Sequence, residues 1–299
     1  MAEPTSQQCD GNCANCASAS SCDDPQNTQK KTGPPERVEM DVRHVILVLS
    51  GKGGVGKTTV AANLAMMLSN HGFNTGLADL DITGPNIPKM MGIEEKRLTS
   101  YDGKKIEPVR ITGTLGVVSM AFLLPEKSTP VIWRGPMKMT AIRQFLEDVN
   151  WGDLDYLVVD LPPGTGDEAL TIAQLAPNID GAVVVTTPQE VAILDSSKAV
   201  RFVQQIGLKV LGIIENMSGM FCPHCGEEID LFGVGGGEKA AEELGVPYLG
   251  RIPMDPAMRK AGDEGRPFII RNPDADPDNP TWKAVDEVLD NLLTEIKEQ

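Results

Sequence analysis

The segment Gly51-Lys52-Gly53-Gly54-Val55-Gly56-Lys57-Thr58-Thr59 constrains this chain more tightly than any other part of it. Gly51, four residues, then Gly56-Lys57-Thr58 is the frame of a phosphate-binding loop. In such a loop successive backbone N–H groups cradle phosphate oxygens, while the lysine and the hydroxyl serve phosphate and Mg2+. The loop belongs between a strand and a helix, and the flanks supply both. Residues 44–50 form a short apolar, β-branched run that reads as a buried strand, and Val60, Leu64, Met67 and Leu68 recur at helical spacing over 58–69. An anion held there lies at a helix N-terminus, where unpaired N–H groups and the axial dipole favour it. A glycine-rich turn with no ligand would need neither flank.

The same alternation continues down the chain. Residues 74–80, 115–120, 156–160, 181–186, 209–214 and 247–250 are apolar runs with little polar interruption, the pattern of parallel strands buried on both faces. Helical spacing appears over 137–149, 168–175, 192–206 and 238–244. Repeated strand–helix units predict an α/β fold, a doubly wound, mostly parallel sheet flanked by helices, with ligands gathered beyond the carboxyl ends of the strands. The length, 299 residues, suits one such domain with tails. Residues 1–40 are rich in Ser, Asn, Gln, Asp, Gly and Pro and too poor in aliphatic side chains to fold alone. Residues 41–271 make the nucleotide-binding domain. Residues 272–299 are an acidic, proline-rich linker and a helix with Trp282, Val285, Leu289, Leu292 and Ile296 on one face. The other face of that helix is mostly acidic, whereas a helix lying on a membrane is basic, so it is expected to dock on the domain.

Composition narrows the partners. A formal charge of −15 with no run of basic residues longer than a pair such as Lys30-Lys31 disfavours nucleic acid and anionic membranes. With 3 Trp, 3 Tyr and 7 Phe there is no stacking platform for single strands. No apolar stretch approaches the roughly 18–20 residues that span a bilayer, and the first twenty residues lack a basic start and an apolar core. The chain reads as cytoplasmic.

Two strand ends complete a nucleotide site. Tyr156-Leu-Val-Val-Asp160 is a hydrophobic strand ending in an acid placed to hold Mg2+, directly or through water, and Leu161-Pro-Pro-Gly-Thr-Gly-Asp167 after it is stiff at its prolines and open at its glycines. Such a loop can sense a γ-phosphate. Asp79-Leu80-Asp81 offers a second carboxylate pair, although acids at strand ends also cap helices and shape loops. Asn216, ending the apolar run before it, carries a carboxamide able to meet a purine edge with both donor and acceptor.

Six cysteines fall into two groups, Cys9/Cys13/Cys16/Cys22 and Cys222/Cys225, which in a cytosolic chain points to metal rather than disulfides. Cys222-Pro-His-Cys225 spaces two thiolates for one metal, but a [4Fe-4S] cluster or a zinc ion wants four ligands. The shell closes through His224, the N-terminal cysteines, or the same pair from a second chain, since a two-fold axis brings identical patches together. A redox dithiol is the rival reading; such a motif opens a helix, whereas the residues on either side here read as loop and turn. The N-terminal four suit one [4Fe-4S] cluster or one zinc ion.

Taken together, Gly-Lys-Gly-Gly-Val-Gly-Lys-Thr-Thr, Asp79-Leu-Asp-Ile-Thr-Gly-Pro-Asn-Ile-Pro88, Asp160-Leu-Pro-Pro-Gly-Thr-Gly-Asp167 and Cys222-x-x-Cys225 resemble the Mrp/ApbC family of iron-sulfur cluster carrier ATPases, over roughly residues 45–270. Lys52 matches the extra lysine of the deviant Walker A loop that this family shares with the MinD/ParA class. The resemblance implies a homodimer in which Lys52 contacts nucleotide phosphate, often across a face-to-face interface. It further implies ATP as the nucleotide, Asp79 near Mg2+, and Asp81 orienting or deprotonating the attacking water. A bridging [4Fe-4S] cluster would sit at Cys222/Cys225 of both subunits, and apo iron-sulfur acceptor proteins and cluster-assembly proteins would be partners. The tail resembles that of cytosolic nucleotide-binding scaffold proteins, which implies a second cluster there. Cys13, Cys16 and Cys22 keep that pattern's spacing, while Cys9 lies much closer to its neighbour than the pattern has it. The expected function is cluster carriage and transfer to apoproteins with slow ATP hydrolysis. The alternatives are a MinD/ParA-like positioning ATPase, which needs a basic surface, and an ATP-dependent iron-sulfur reductase.

Overall fold

β1 (Val42–Ser50) shows why the sheet is covered on both sides. Ile46 and Val48 point into one hydrophobic cluster, Val45, Leu47 and Leu49 into another, and none is more than 1% exposed. Alternate side chains leave opposite faces of a strand, so an unbroken apolar run requires a layer of helices on each. The computed structural model describes residues 37–82, 84–100, 103, 105–123, 135–222, 224–270 and 279–297. The chain divides into units Met1–Pro35 and Glu36–Gln299, and the first, with Cys9, Cys13, Cys16 and Cys22, lies outside the described residues.

In chain order the elements of the second unit are β1, α1 (Lys57–Asn70), β2 (Thr75–Asp79), α2 (Ile87–Met90), β3 (Val109–Arg110), β4 (Leu115–Ser119), α3 (Gly135–Glu147), β5 (Leu154–Asp160), α4 (Asp167–Leu175), β6 (Ile179–Thr186), α5 (Glu190–Gln205), β7 (Val210–Phe221), β8 (Glu228–Ile229), α6 (Gly236–Leu244), β9 (Tyr248–Met254), α7 (Pro256–Asp263) and α8 (Pro280–Lys297). The sheet runs β3-β4-β2-β5-β1-β6-β7-β8, with β9 paired to β7. β3 and β8 are antiparallel to their neighbours and the remaining pairings are parallel. This is the expected doubly wound, mostly parallel sheet. Side chains of α1 and α8 join the cluster on one face; those of α3, α4, α5 and α6 join the other. Connections after β1 run to one side of that strand and those after β6 to the other, so the loop ending β1 lies at the switch point where a ligand crevice opens.

The last helix docks as its pattern predicts. Val285, Leu289, Leu292 and Ile296 are buried, and Asn291 donates to the Leu249 carbonyl of β9 at 2.9 Å. At the other end Val38 is buried and its N–H donates to the Leu175 carbonyl, so the approach to β1 belongs to this unit. Two departures concern the region before and after the cysteines, where the sequence reads loop and turn. β7 continues through Met217–Phe221, and β8 pairs back on it through Met220↔Ile229 and Phe221↔Glu228. Cys222 and Cys225 thus cap a β-hairpin. Its partners, β8 and β9, follow later in the chain, and pairing between distant segments leaves no local periodicity to read. The short helices α2 and α7 were likewise not legible, since four and eight residues are too few to show a period.

Candidate functional site

The phosphate-binding loop forms as its frame demands. Gly56 sits at φ 81°, in the left-handed region, and α1 begins at Lys57. A β-carbon on Gly56 would lie 2.2 Å from Nδ2 of Asn216, so both conformation and space require glycine there. Asn216, at the carboxyl end of the β6-paired part of β7, donates from Nδ2 to the Val55 carbonyl at 2.9 Å. One of its two amide N–H groups is therefore engaged with the loop, so the residue expected to meet the base also braces the phosphate cradle. The Pro-Pro-Gly loop after β5 also reaches the cradle: Gly164 N–H donates to the Ser50 carbonyl at 2.8 Å, one residue before Gly51.

Beneath the loop lies a buried charged group. Lys57 is 6% exposed, Asp160 is 0%, and Nζ and Oδ1 are 2.5 Å apart. β2 and β5 run in register with Asp79 directly beside Asp160, and Asp79 is equally buried. Burial first, then the Asp160 charge, pushes Asp79 up to about 8. Burial also raises Asp160, against the opposing pull of Lys57 and Thr58. Asp79 accepts from Ser119 Oγ at 2.8 Å and from the N–H groups of Asp81 and Ile87 at 3.3 Å. Sequence reasoning pairs Asp79 with Asp81; the fold makes Asp79 and Asp160 the close carboxylates. Asp81 is 7% exposed and accepts from Gly84 N–H at 3.1 Å at the start of the next loop.

The donor set suits Mg2+. Asp160 Oδ2 is buried with no hydrogen-bond partner among the described residues, and an orphaned anionic oxygen beside the Thr58 hydroxyl is chemistry that a hard cation satisfies. The two lysines of the loop differ. Lys57 is neutralised by Asp160, whereas Lys52 is half-buried and forms no ion pair among the described residues. Its charge has no carboxylate partner among the described residues.

The cysteines stand at the same end of the sheet as Asn216, on the strand that carries it. Cys222 is half-buried and Cys225 exposed. Cys222 N–H donates to the Glu227 carbonyl and Gly226 N–H to the Cys222 carbonyl, both at 2.9 Å, closing the hairpin tip. The backbone N–H of Cys225, then that of His224, is directed at the Cys222 sulfur and pulls its thiol below the ordinary range. Cys225 Sγ lies 3.8 Å from Glu227 Oε2. No helix opens at the motif, in contrast to a thioredoxin-like dithiol. Among the described residues no three His, Cys, Asp or Glu side chains gather as a metal site, so His224 does not complete a shell with the two thiols.

Two participants escaped the sequence reading. Ser119 left no signal, being one small polar residue at a strand end. Glu215 did leave one: a carboxylate inside the apolar run before Asn216, 0% exposed in the fold, accepting from Ser218 Oγ at 2.5 Å and from Gly235 N–H at 2.8 Å.

Comparison with known proteins agrees with this geometry. The iron-sulfur cluster carrier protein of Methanocaldococcus jannaschii is 50% identical over 264 residues, covering 88% of this chain and 91% of that protein. A cytosolic Fe-S cluster assembly factor of Saccharomyces cerevisiae is 47% identical over 235 residues, covering 76% and 80%. Among solved structures, a nucleotide-binding protein from Archaeoglobus fulgidus in complex with ADP superposes with a TM-score of 0.67 at 40% identity, over 78% of this chain and 90% of that one. The cell division protein MinD of Aquifex aeolicus, with a TM-score of 0.59 and 21% identity over 84% and 97%, shares the fold. Residues 41–293, which carry the phosphate loop, the buried carboxylates and the cysteine hairpin, match the ParA-type family described as the NUBPL iron-transfer P-loop NTPase, and the chain belongs to that family.

Proposed function

We propose that this protein is a homodimeric iron-sulfur cluster carrier that binds a [4Fe-4S] cluster between two copies of the Cys222/Cys225 hairpin and transfers it to apoproteins, with binding and slow hydrolysis of ATP. The observation that carries this reading is half a ligand shell: two thiols at an open hairpin tip, with no third ligand gathered among the described residues. A two-fold partner supplies the other two. Lys52 supports the same arrangement, because a lysine with no carboxylate partner among the described residues suits phosphate reached across an interface. Both relatives described above carry names from cluster carriage or assembly.

The residues divide the work as follows. The backbone of Gly51 to Thr59 and the ammonium of Lys57 hold the triphosphate. Asp160 and Thr58, with Asp79 behind them, would hold Mg2+, which neutralises phosphate charge when bound. Asp81 orients the attacking water and accepts its proton as the γ-phosphoryl group leaves ADP; Lys52 offsets the charge that develops. Cluster release is ligand exchange without electron transfer: acceptor thiolates form Fe–S bonds as those of Cys222 and Cys225 break, and the backbone N–H groups aimed at the Cys222 sulfur stabilise it as a leaving thiolate. The N-terminal cysteines hold a second cluster in this reading.

The positioning alternative lacks support: α8 has its apolar face packed on the domain, and its outer face is acidic. No helix among the described residues is long and apolar enough to cross a membrane, and we place the protein in the cytoplasm with its assembly relatives. The test is anaerobic reconstitution with iron and sulfide of wild type and Cys222→Ala/Cys225→Ala. The double variant should lose the transferable cluster and keep nucleotide affinity. Unchanged transfer to an apo-acceptor would refute the bridging site, and tight retention with reversible reduction in the wild type would instead mark a reductase.

A further inference from the structure

β7 is broken between the nucleotide loop and the cysteines. Its register with β9 runs Ile214↔Gly250, Glu215↔Arg251, Asn216↔Ile252 and then jumps to Met220↔Met254. Met217, Ser218 and Gly219 therefore bulge out of the ladder. Met217 has φ 57° and Gly219 φ 68°. A β-carbon in that region crowds the following carbonyl, and a methionine stays there only where its surroundings over-determine it.

Those surroundings touch both sites. On the nucleotide side, Asn216 Nδ2 holds the Val55 carbonyl, and the Met217 methyl comes within 3.5 Å of the point a β-carbon on Gly56 would occupy. On the cysteine side, a β-carbon on Gly219 would lie 2.5 Å from Oε1 of Glu228 on β8, and Glu228 pairs with Arg251 of β9 at 2.6 Å. Glu215 closes the frame from inside. It accepts from the Ser218 hydroxyl of the bulge and from Gly235 and Gly237 N–H at the start of α6. The segment joining the hairpin to α6 has its own lock, Gly233 N–H on Asp230 Oδ1 at 2.6 Å. The hairpin is thus tied to β9 and to itself on the far side of the bulge, and the bulge is the break in the ladder between it and the nucleotide loop.

We propose that the Met217–Gly219 bulge transmits nucleotide occupancy of the phosphate loop to the setting of Cys222 and Cys225, with Glu215 as the positioning residue that keeps the bulge in one of two states. This rests on the reading that those cysteines carry the cluster. When nucleotide engages the loop or the Asn216 amide, the bond to Val55 yields, Met217 loses one of the contacts that hold it left-handed, and the hairpin turns about the bulge. Packed elements of this kind switch between discrete arrangements rather than bending smoothly.

The experiment uses the full chain, reduced and free of cluster. Alkylation of Cys222 and Cys225 is followed residue by residue by mass spectrometry, with and without a non-hydrolysable ATP analogue and Mg2+. In the wild type the analogue should change the Cys222 rate by about fivefold or more, the lower end of ordinary coupling between sites. Glu215→Gln and Ser218→Ala should bind a fluorescent ATP analogue within about twofold of wild type yet show less than about a twofold rate change. Wild-type responses in both variants, or a wild-type Cys222 rate indifferent to nucleotide, would overturn the proposal. If Glu215→Gln does not fold, Ser218→Ala decides alone. Failure of cluster transfer with the thiol response intact counts against the carrier reading and leaves the junction standing.

Discussion

Lys57→Met offers the sharpest test of how the nucleotide-free site is held together. The ammonium lies 2.5 Å from Asp160 Oδ1, with the two side chains 6% and 0% exposed. Asp79 stands beside Asp160 in the sheet, and one Asp160 oxygen has no hydrogen-bond partner among the described residues. Without the ammonium, the Asp160 carboxylate is left in a dry site beside Asp79 with no cation. Removing one partner of a buried pair costs about 3–5 kcal/mol, against about 0–1 kcal/mol for a surface pair. At about 2–4 °C per kcal/mol for a domain of this size, the melting temperature should fall by roughly 6–20 °C. Lys57→Met/Asp160→Asn removes both charges and should recover most of that loss. Thermal and urea unfolding without nucleotide or Mg2+, near pH 7.5, measures all three proteins. The penalty of Lys57→Met should shrink toward pH 5, because the exposed defect is an anion that a proton can cancel. A loss below about 1 kcal/mol, or single-variant losses that simply add in the double variant, would refute the buried-pair account.

Three further outcomes follow from the same geometry. Gly56→Ala places a β-carbon at φ 81° and 2.2 Å from Asn216 Nδ2, so nucleotide affinity measured by titration calorimetry should drop at least about tenfold, with about 1–2 kcal/mol lost in urea unfolding. Asp79 is pushed up to about 8 in the folded chain from its ordinary value of 3.8, so between those values the native state holds a proton that the unfolded chain releases. Its contribution therefore lowers stability as pH rises from about 4 to about 8, and Asp79→Asn should flatten that part of the slope in urea midpoints taken across the range. Lys52→Ala should slow steady-state phosphate release by on the order of a hundredfold while leaving the visible spectrum of the reconstituted cluster unchanged, since it removes one transition-state charge and no cluster ligand.

Much of this protein was legible because its decisive signals are local. The phosphate loop is a contiguous segment whose glycines and lysines must be adjacent to work. Strands announce themselves as unbroken apolar runs and helices through a period of 3.6, and Asp160 ends its strand in plain view. The amphipathic face of α8 is read the same way, and its burial follows from the need to cover Leu289 and Leu292. None of this required knowing which strand lies beside which.

What tertiary structure alone decided is the neighbourhood across strands. Parallel pairing joins segments far apart in the chain, so that Asp79, Ser119 and Asp160 meet at three strand ends whose order no local pattern encodes. The same holds for the amide of Asn216 on Val55, for the continuation of β7 to the cysteines, and for Glu215 buried against the start of α6. A buried charge in an apolar run says that a partner exists. Only the register of β7 with β9, and the loop it carries across the sheet end, says which partner, because burial is a property of the assembled layers and not of the segment.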